Sequence, residues 1–382
     1  MVPESLRPYL RSRTRRAHGG LIVTRSPNEE RALAPVIGVA PDLRRASETA
    51  IAGSAALDAV TRRVKQRVDA FLDRHDRPEL RASWRHAVNA TQHELRRLEN
   101  VDLTPYRYIL LARQTHPLLR ALILRAEEQG VPVIYVPHSP LTRFQVDLPV
   151  SFAALRGDAE RTWVAATAGI DPERIAVVGN PSTDITRLPS PDIAGSGVPG
   201  VFAVSPDPEQ DLHRMFTMLT HAGLEEVLVA PHPRSDIAML ERLMPTTWSL
   251  HRDGLTVDLL RHGPRWVIQN SSGVAWESAL LGIPTADIRL DERPPAYPFL
   301  EDEQVFPALH SAEDVRAFVA GAGDVDRARL QALAHSWCAT DGEEAVSLTH
   351  ELLARVSSSE PRIVDAWAPG GVLHRTSALA DL

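Results

Sequence analysis

Short apolar runs alternate with longer segments of mixed polarity along most of this chain. Gly20 to Thr24 (GLIVT), Tyr108 to Ala112 (YILLA), Val131 to Val136 (VPVIYV), Ser151 to Leu155, Ile175 to Val178, Val201 to Val204 (VFAV), Glu226 to Ala230 (EVLVA) and Trp266 to Gln269 have the length of strands buried on both faces. Between them, Asn28 to Val36, Leu118 to Gln129, Glu160 to Ala168, Glu209 to Ala222 and Val274 to Leu281 read as helices, two of them closed by Gly130 and Gly282. The alternation predicts an α/β architecture of parallel strands joined by helices, with ligands expected along the carboxyl-terminal strand edge.

Two stretches interrupt the pattern. From about Leu43 to Asn100 almost everything reads as helix, with Val60, Val64, Val68 and Phe71 at helical spacing among many arginines. These arginines read first as a solvated helix face, and second as an attraction for a phosphorylated acceptor. Residues 181–200 are rich in Pro, Gly, Ser and Asp and read as a linker between two domains. The expected organisation is an N-terminal α/β domain over 1–182 with a helical insert over about 43–100, a second α/β domain over 183–345, and a helix end with a loose tail over 346–382.

The run WVIQNSSGVAWESALLGIPTAD, from Trp266 to Asp287, has the outline of a phosphate-binding βαβ unit. Val267 and Ile268 supply the strand, Asn270, Ser271 and Ser272 offer polar groups where the chain turns, and Gly273 lets a ligand approach the backbone. Open amides at the start of the following helix are expected to favour an anion beside Ser271 and Ser272, and Glu277, one turn in, is placed to reach a ribose diol. The bland reading is that Ser271 only caps the helix and Glu277 makes a surface ion pair.

Composition narrows the class. A chain of 382 residues is long enough for two domains with separate cores, and a net charge of -7 gives no footprint for nucleic acid. The lone Cys338 excludes an internal disulfide and a thiolate metal cluster. Arg7, Arg11, Arg13, Arg15 and Arg16 crowd the N-terminus without an apolar stretch behind them, and no apolar run approaches the roughly 20 residues that span a bilayer. A cytoplasmic protein without a membrane span is the expectation; a homodimer stays open.

Two such domains resemble the GT-B fold, two Rossmann-like parallel-sheet domains facing a central cleft. His232-Pro233 in APHPRS together with Ser271-Ser272 resembles the paired HP and SS motifs of bacterial transferases that build capsules and teichoic acids. These include polysialyltransferases, Kdo transferases and polyglycerol phosphate transferases, which use CMP-sugars or CDP-polyols. The segment from Pro137 to Asp184, with PHSP and VVGNPSTD, is similar to their domain junction. A second resemblance, to the UDP-N-acetylglucosamine 2-epimerases, rests on Thr24-Arg25-Ser26-Pro27, on Gly179-Asn180 before Asp184, on Ser272-Gly273 before Glu277, and on Glu292-Arg293-Pro294. Where the epimerases carry acids and a histidine for proton transfer, this chain has Arg113-Gln114-Thr115, Pro137-His138-Ser139 and Ser205-Pro206-Asp207.

The transferase resemblance implies a nucleotide-activated donor, CMP- or CDP-linked slightly ahead of UDP-linked, a small-molecule or glycan acceptor, and no separate cofactor. Displacing a nucleotide requires a base for the acceptor proton and fixed groups for the departing phosphate. His138, at a strand end of the first domain, is the expected base, with a histidine that merely completes a turn as the equal alternative. His232 and Arg234 are expected at the donor phosphate, with Asn270, Ser271, Ser272, Gly273 and Glu277 around the nucleotide. Arg25, Asn180, Arg113 and His116 are weaker candidates, the last two equally explained by a capped helix start before Pro117. Asp253-Gly254 reads as a turn and Asp158 as a helix N-cap. With no Asp-x-Asp cluster at a strand end, a metal site is not expected. Isomerase or hydrolase action on a UDP-sugar, and a binding protein without chemistry, are the alternatives.

Overall fold

The structure is a computed structural model that describes residues 19–38, 44–46, 81–98, 100–143, 148–168, 170–185, 191–193, 197–252, 254–292 and 294–358. The N-terminal arginine cluster, most of the helical insert, Asp253, Arg293 and the tail beyond 358 lie outside these residues. The chain forms two compact units. Unit 1 comprises residues 1–138, 145–183 and 340–382, and unit 2 comprises 139–144 and 184–339.

Unit 1 contains β1 (Leu21–Val23), α1 (Pro27–Gly38), β2 (Arg44–Ala46), α2 (Arg81–Leu98), β3 (Ile109–Leu111), α3 (Pro117–Glu128), β4 (Val133–Tyr135), β5 (Phe152–Leu155), α4 (Asp158–Thr167) and β6 (Ile175–Val177). Its parallel sheet has the order β2-β1-β3-β4-β5-β6, so the side on which successive strands are added switches between β1 and β3. Strand β2 corrects the expectation of helix from 43 onward: Arg44–Ala46 pairs in parallel with β1. Of the predicted insert, Arg81–Leu98 is helical.

Alternation sorts the strand residues. Ile22, Leu110, Ile134 and Ala154 pack on one face with Ala32, Leu33 and Val36 of α1. The same cluster takes Leu352, Leu353 and Val356 from α11 (Gly342–Ser358), the last described helix, which therefore completes the core of the first unit. That return is anchored where the Asn180 N–H donates to the Thr340 carbonyl (2.9 Å) and the Gly342 N–H to the Asn180 carbonyl (3.1 Å). Gly179 sits at φ +83°, and a Cβ there would lie 2.2 Å from the Thr340 oxygen, so only glycine allows this approach.

Unit 2 contains β7 (Gly200–Val204), α5 (Glu209–His221), β8 (Val227–Pro231), α6 (Ile237–Leu243), β9 (Ser249–Leu250), α7 (Thr256–Leu260), β10 (Val267–Gln269), α8 (Val274–Leu280), β11 (Thr285–Ile288), β12 (Ala308–Leu309), α9 (Ala312–Gly321) and α10 (Arg327–Trp337). The order β12-β11-β10-β7-β8-β9, all parallel, places the first strand at the centre and grows outward to either side. That is the doubly wound arrangement, with its switch point between β7 and β10. Period-2 alternation again divides the residues: Val201 and Val267 enter one core with Trp276 and Leu280, while Phe202, Val204 and Ile268 enter the other with Phe216 and Leu219.

Candidate functional site

Sheet topology selects two places, the switch point of each unit. In unit 2 the carboxyl ends of three adjacent strands are laced together. The His232 N–H donates to the Val204 carbonyl (3.0 Å), the Ser205 N–H to Asn270 Oδ1 (2.9 Å), and the Ser205 hydroxyl to the Asn270 carbonyl (2.8 Å). Asn270 Nδ2 donates in turn to Asp207 Oδ2 (2.5 Å). His232, Ser205 and the Asn270–Gly273 turn thus form one row along the edge.

The serine turn is held from below. Ser271 has φ +50° and is the only described residue other than glycine at positive φ, which costs about 1–2 kcal/mol for an L-residue. The fully buried Asp287 stabilises it: Oδ1 accepts from the Ser271 N–H (3.0 Å) and from Gln269 Nε2 (3.0 Å), and Oδ2 accepts from Arg289 Nε (2.8 Å). Burial pushes the Asp287 carboxyl up, and Arg289 with the Ser271 amide pulls it back. Gln269 Oε1 takes the Ser272 N–H (2.5 Å), and the Ser272 hydroxyl takes the Val274 N–H (3.3 Å).

The amides at the start of α8 are not open as expected: besides the Val274 N–H, the Ala275 N–H donates to the Ser272 carbonyl (3.2 Å) and the Trp276 N–H to the Gly273 carbonyl (3.3 Å). The Ser271 and Ser272 N–H groups face inward, so what the turn offers a ligand is the exposed Ser271 hydroxyl and the hydrogen of the Ser272 hydroxyl. Asn270, 3 % exposed, has both ends of its carboxamide engaged and acts as a brace. Glu277 is half-buried one turn into α8.

His232 has a defined tautomer. The Arg234 N–H donates to its Nδ1 (3.1 Å), which needs a lone pair there and so places the proton on Nε2. Burial, then the nearby Arg234 guanidinium, lowers its pKa and keeps the ring neutral. His232 is therefore a hydrogen-bond donor through Nε2, the character required at an anionic oxygen, and the exposed Arg234 adds a charge beside it.

In unit 1, β1 ends in Thr24-Arg25-Ser26 and β3 in Ala112-Arg113-Gln114-Thr115-His116, side by side because Val23 is in register with Leu111. Arg25 Nη1 contacts His116 Nδ1, and His116 is the N-cap of α3, its Nδ1 accepting from the Leu118 N–H (3.2 Å). His138 follows β4. Its Nδ1 lies 2.7 Å from the Ala112 carbonyl, which can only accept, so Nδ1 carries the proton and Nε2 the lone pair. Burial holds this imidazole below its ordinary pKa, against the pull of the Ala112 carbonyl. It is thus neutral, with a basic nitrogen to spare.

Other candidates have structural duties. The buried Asn180 uses Oδ1 to accept from the Ser182 N–H (3.2 Å) and hydroxyl (2.9 Å). Asp158 is the first residue of α4, not its cap, which is Gly157; its carboxylate pairs with Arg161 (2.8 Å). Gln114 is fully buried. Asp207, Gln269 and Asp287 were missed by sequence reasoning, the last because it meets the turn only through the pairing of β10 with β11. Burial raises the Asp207 carboxyl, opposed by its bond to Asn270. Among the described residues no three His, Cys, Asp or Glu side chains gather as metal ligands, and no helix is long and apolar enough to cross a membrane.

No protein-family model matches the chain, and no curated protein matches it in sequence. Its fold does match solved structures. CalG4, the calicheamicin glycosyltransferase, aligns over 91 % of this chain and 100 % of its own with a TM-score of 0.57 and 14 % identity. MnaA of S. aureus, determined with UDP, aligns over 88 % and 96 % with a TM-score of 0.54 and 11 % identity. The UDP-GlcNAc 2-epimerase from Neisseria meningitidis, bound to UDP-GlcNAc, aligns over 88 % and 100 % with a TM-score of 0.50 and 12 % identity. The likeness is one of fold: the chain has a GT-B-like architecture of two parallel-sheet domains. That scaffold carries both group transfer and epimerisation among these structures, so the chemistry must be argued from the side chains.

Proposed function

We propose that this chain is a metal-independent glycosyltransferase, or polyol-phosphate transferase, that moves a group from a nucleotide-activated donor to an acceptor hydroxyl or amine. Neighbours in fold include a glycosyltransferase and proteins determined with UDP or a UDP-sugar, which supports a nucleotide-sugar ligand at the coarser level. The observation that carries the finer reading is the pair of opposite histidine tautomers. His138 has its lone pair on Nε2 and His232 its proton there. In this reading His138 Nε2 takes the acceptor proton as the new bond to the sugar carbon forms. The bond from that carbon to the phosphate oxygen breaks, and the nucleotide leaves with the electron pair, met by His232 Nε2–H, Arg234 and the Ser271 and Ser272 hydroxyls.

Donor and site are tested together by melting the protein with CMP, CDP, UMP, UDP, GDP and TDP, and again as His232→Ala and Ser272→Ala. A ligand that binds only the folded state raises the melting temperature. Stabilisation by one nucleotide that both variants lose supports the donor site, with a cytidine nucleotide expected ahead of uridine; no shift with any of them sinks it. Epimerisation is set apart by the products: turnover of a UDP-sugar without acceptor, with solvent deuterium entering the sugar, would replace the transferase reading.

A further inference from the structure

The peptide that joins Pro137 to His138 is held at both ends. Its N–H donates to the Ala112 carbonyl (3.1 Å), the same oxygen that lies 2.7 Å from His138 Nδ1. Its carbonyl, that of Pro137, accepts from Arg156 Nη2 (2.8 Å). Ala112 directly follows β3 and Arg156 directly follows β5, and β4 lies between those two strands in the sheet. The turn after β4 is thus gripped from both neighbouring strands.

Arg156 is itself fixed in place. It is 3 % exposed, and its partner Glu160, in the first turn of α4, is 1 % exposed. Glu160 Oε2 accepts from the Arg156 backbone N–H (2.8 Å) and Oε1 meets Arg156 Nη1 (3.4 Å), so one carboxylate orients both the main chain and the side chain of the arginine. A buried ion pair recovers its desolvation poorly, and apolar side chains of similar volume often serve stability as well or better. Stability is therefore a weak reason for this pair. The planar fork of a guanidinium supplies a stronger one, because one nitrogen meets Glu160 while another holds the Pro137 carbonyl.

We infer that Arg156, braced by Glu160, is a positioning residue for His138: it fixes the Pro137–His138 peptide so that the ring keeps Nδ1 on the Ala112 carbonyl and its lone pair on Nε2. The inference rests on the transferase reading only in giving that lone pair an acceptor proton to take; the brace is a matter of unit 1 geometry. Charge works in the same sense. Burial lowers the His138 pKa, the Ala112 carbonyl and Glu29 oppose it, and the Arg156 and Arg113 guanidiniums add to the lowering.

The test follows the His138 ring nitrogens in the isotope-labelled full chain, their signals identified by their absence from His138→Gln, alongside steady-state transfer. Removing one member of a buried pair is strongly destabilising, so Arg156→Met is combined with Glu160→Gln, which keeps an acceptor for the backbone N–H of residue 156. Arg156→Lys is the conservative variant, and Leu98→Ala, in the buried end of α2, controls for lost stability alone. Wild type is expected to carry the His138 proton on Nδ1. In the double variant the tautomers mix, the His138 pKa rises because a neighbouring positive charge is gone, and kcat falls by about tenfold to a hundredfold with donor KM unchanged. Arg156→Lys is expected to keep the low pKa and part of kcat, and Leu98→Ala to keep the tautomer. The inference is overturned if the double variant retains the wild-type tautomer and pKa, or if Leu98→Ala disturbs them as much. A chain without transfer activity whose His138 tautomer still depends on Arg156 supports the brace and counts against the transferase reading alone.

Discussion

His138 and His232 stand at different positions of two parallel sheets, the first after β4, two strands from β1, and the second after β8, next to β7. Each follows a parallel strand, and each ring is kept neutral by burial. They differ in the backbone group that Nδ1 meets, a carbonyl at Ala112 for one and an N–H at Arg234 for the other. That single difference leaves a lone pair on Nε2 of one ring and a proton on Nε2 of the other. One residue type thus presents two opposite hydrogen-bonding characters, because main-chain polarity selects the tautomer.

Removing His138 should break this comparison most visibly. His138→Ala is expected to lower kcat by about 10²–10⁴, with acceptor binding little changed. In the wild type the base works only when unprotonated, so kcat/KM should be flat at neutral pH and fall as pH drops through a pKa below the ordinary 6.5. An acid limb at or above that value, or one that survives in His138→Ala, would remove the base from its role.

Asp287→Ala probes the support beneath the donor turn. Removing one partner of a buried pair costs about 3–5 kcal/mol, and Arg289 keeps Glu303 (2.7 Å), so a loss near 3 kcal/mol in urea unfolding is expected, with weaker nucleotide binding. His232→Ala should cost about 1.5–3 kcal/mol in nucleotide affinity, measured by calorimetry, while kcat at saturating donor changes far less than in His138→Ala. Equal damage to kcat from both histidines would erase the division of roles. The smallest effect is expected from Ser271→Gly, which relieves the positive φ. It should raise stability by about 1 kcal/mol in thermal melting and lower donor affinity through the lost hydroxyl.

Much of this arrangement is legible in the sequence where an apolar run ends in a polar residue. YILLA, VPVIYV and EVLVA announce strands, and His138 and His232 announce their edges. Strand β2 is hidden because two of its three residues are arginines and, among the described strands, it pairs only with β1, so no apolar pattern is required of it. The brace under the serine turn is hidden for a different reason: Asp287 lies 16 positions beyond Ser271 and meets it only through the parallel pairing of β10 with β11. The Ser271 amide takes its inward direction from that pairing, while the Ser272 amide turns to Gln269 Oε1 at the end of its own strand.

The course of the C-terminal helix has a consequence for biosynthesis. Unit 1 begins near the first residues of the chain, yet Leu352, Leu353 and Val356 fill its core and Thr340 locks onto Gly179 and Asn180. Unit 2 runs from residue 184 to 339 with only a short earlier segment added. On the ribosome, where domains fold as units, the later unit is therefore complete first, and the earlier one waits with an open apolar face until its closing helix has been translated.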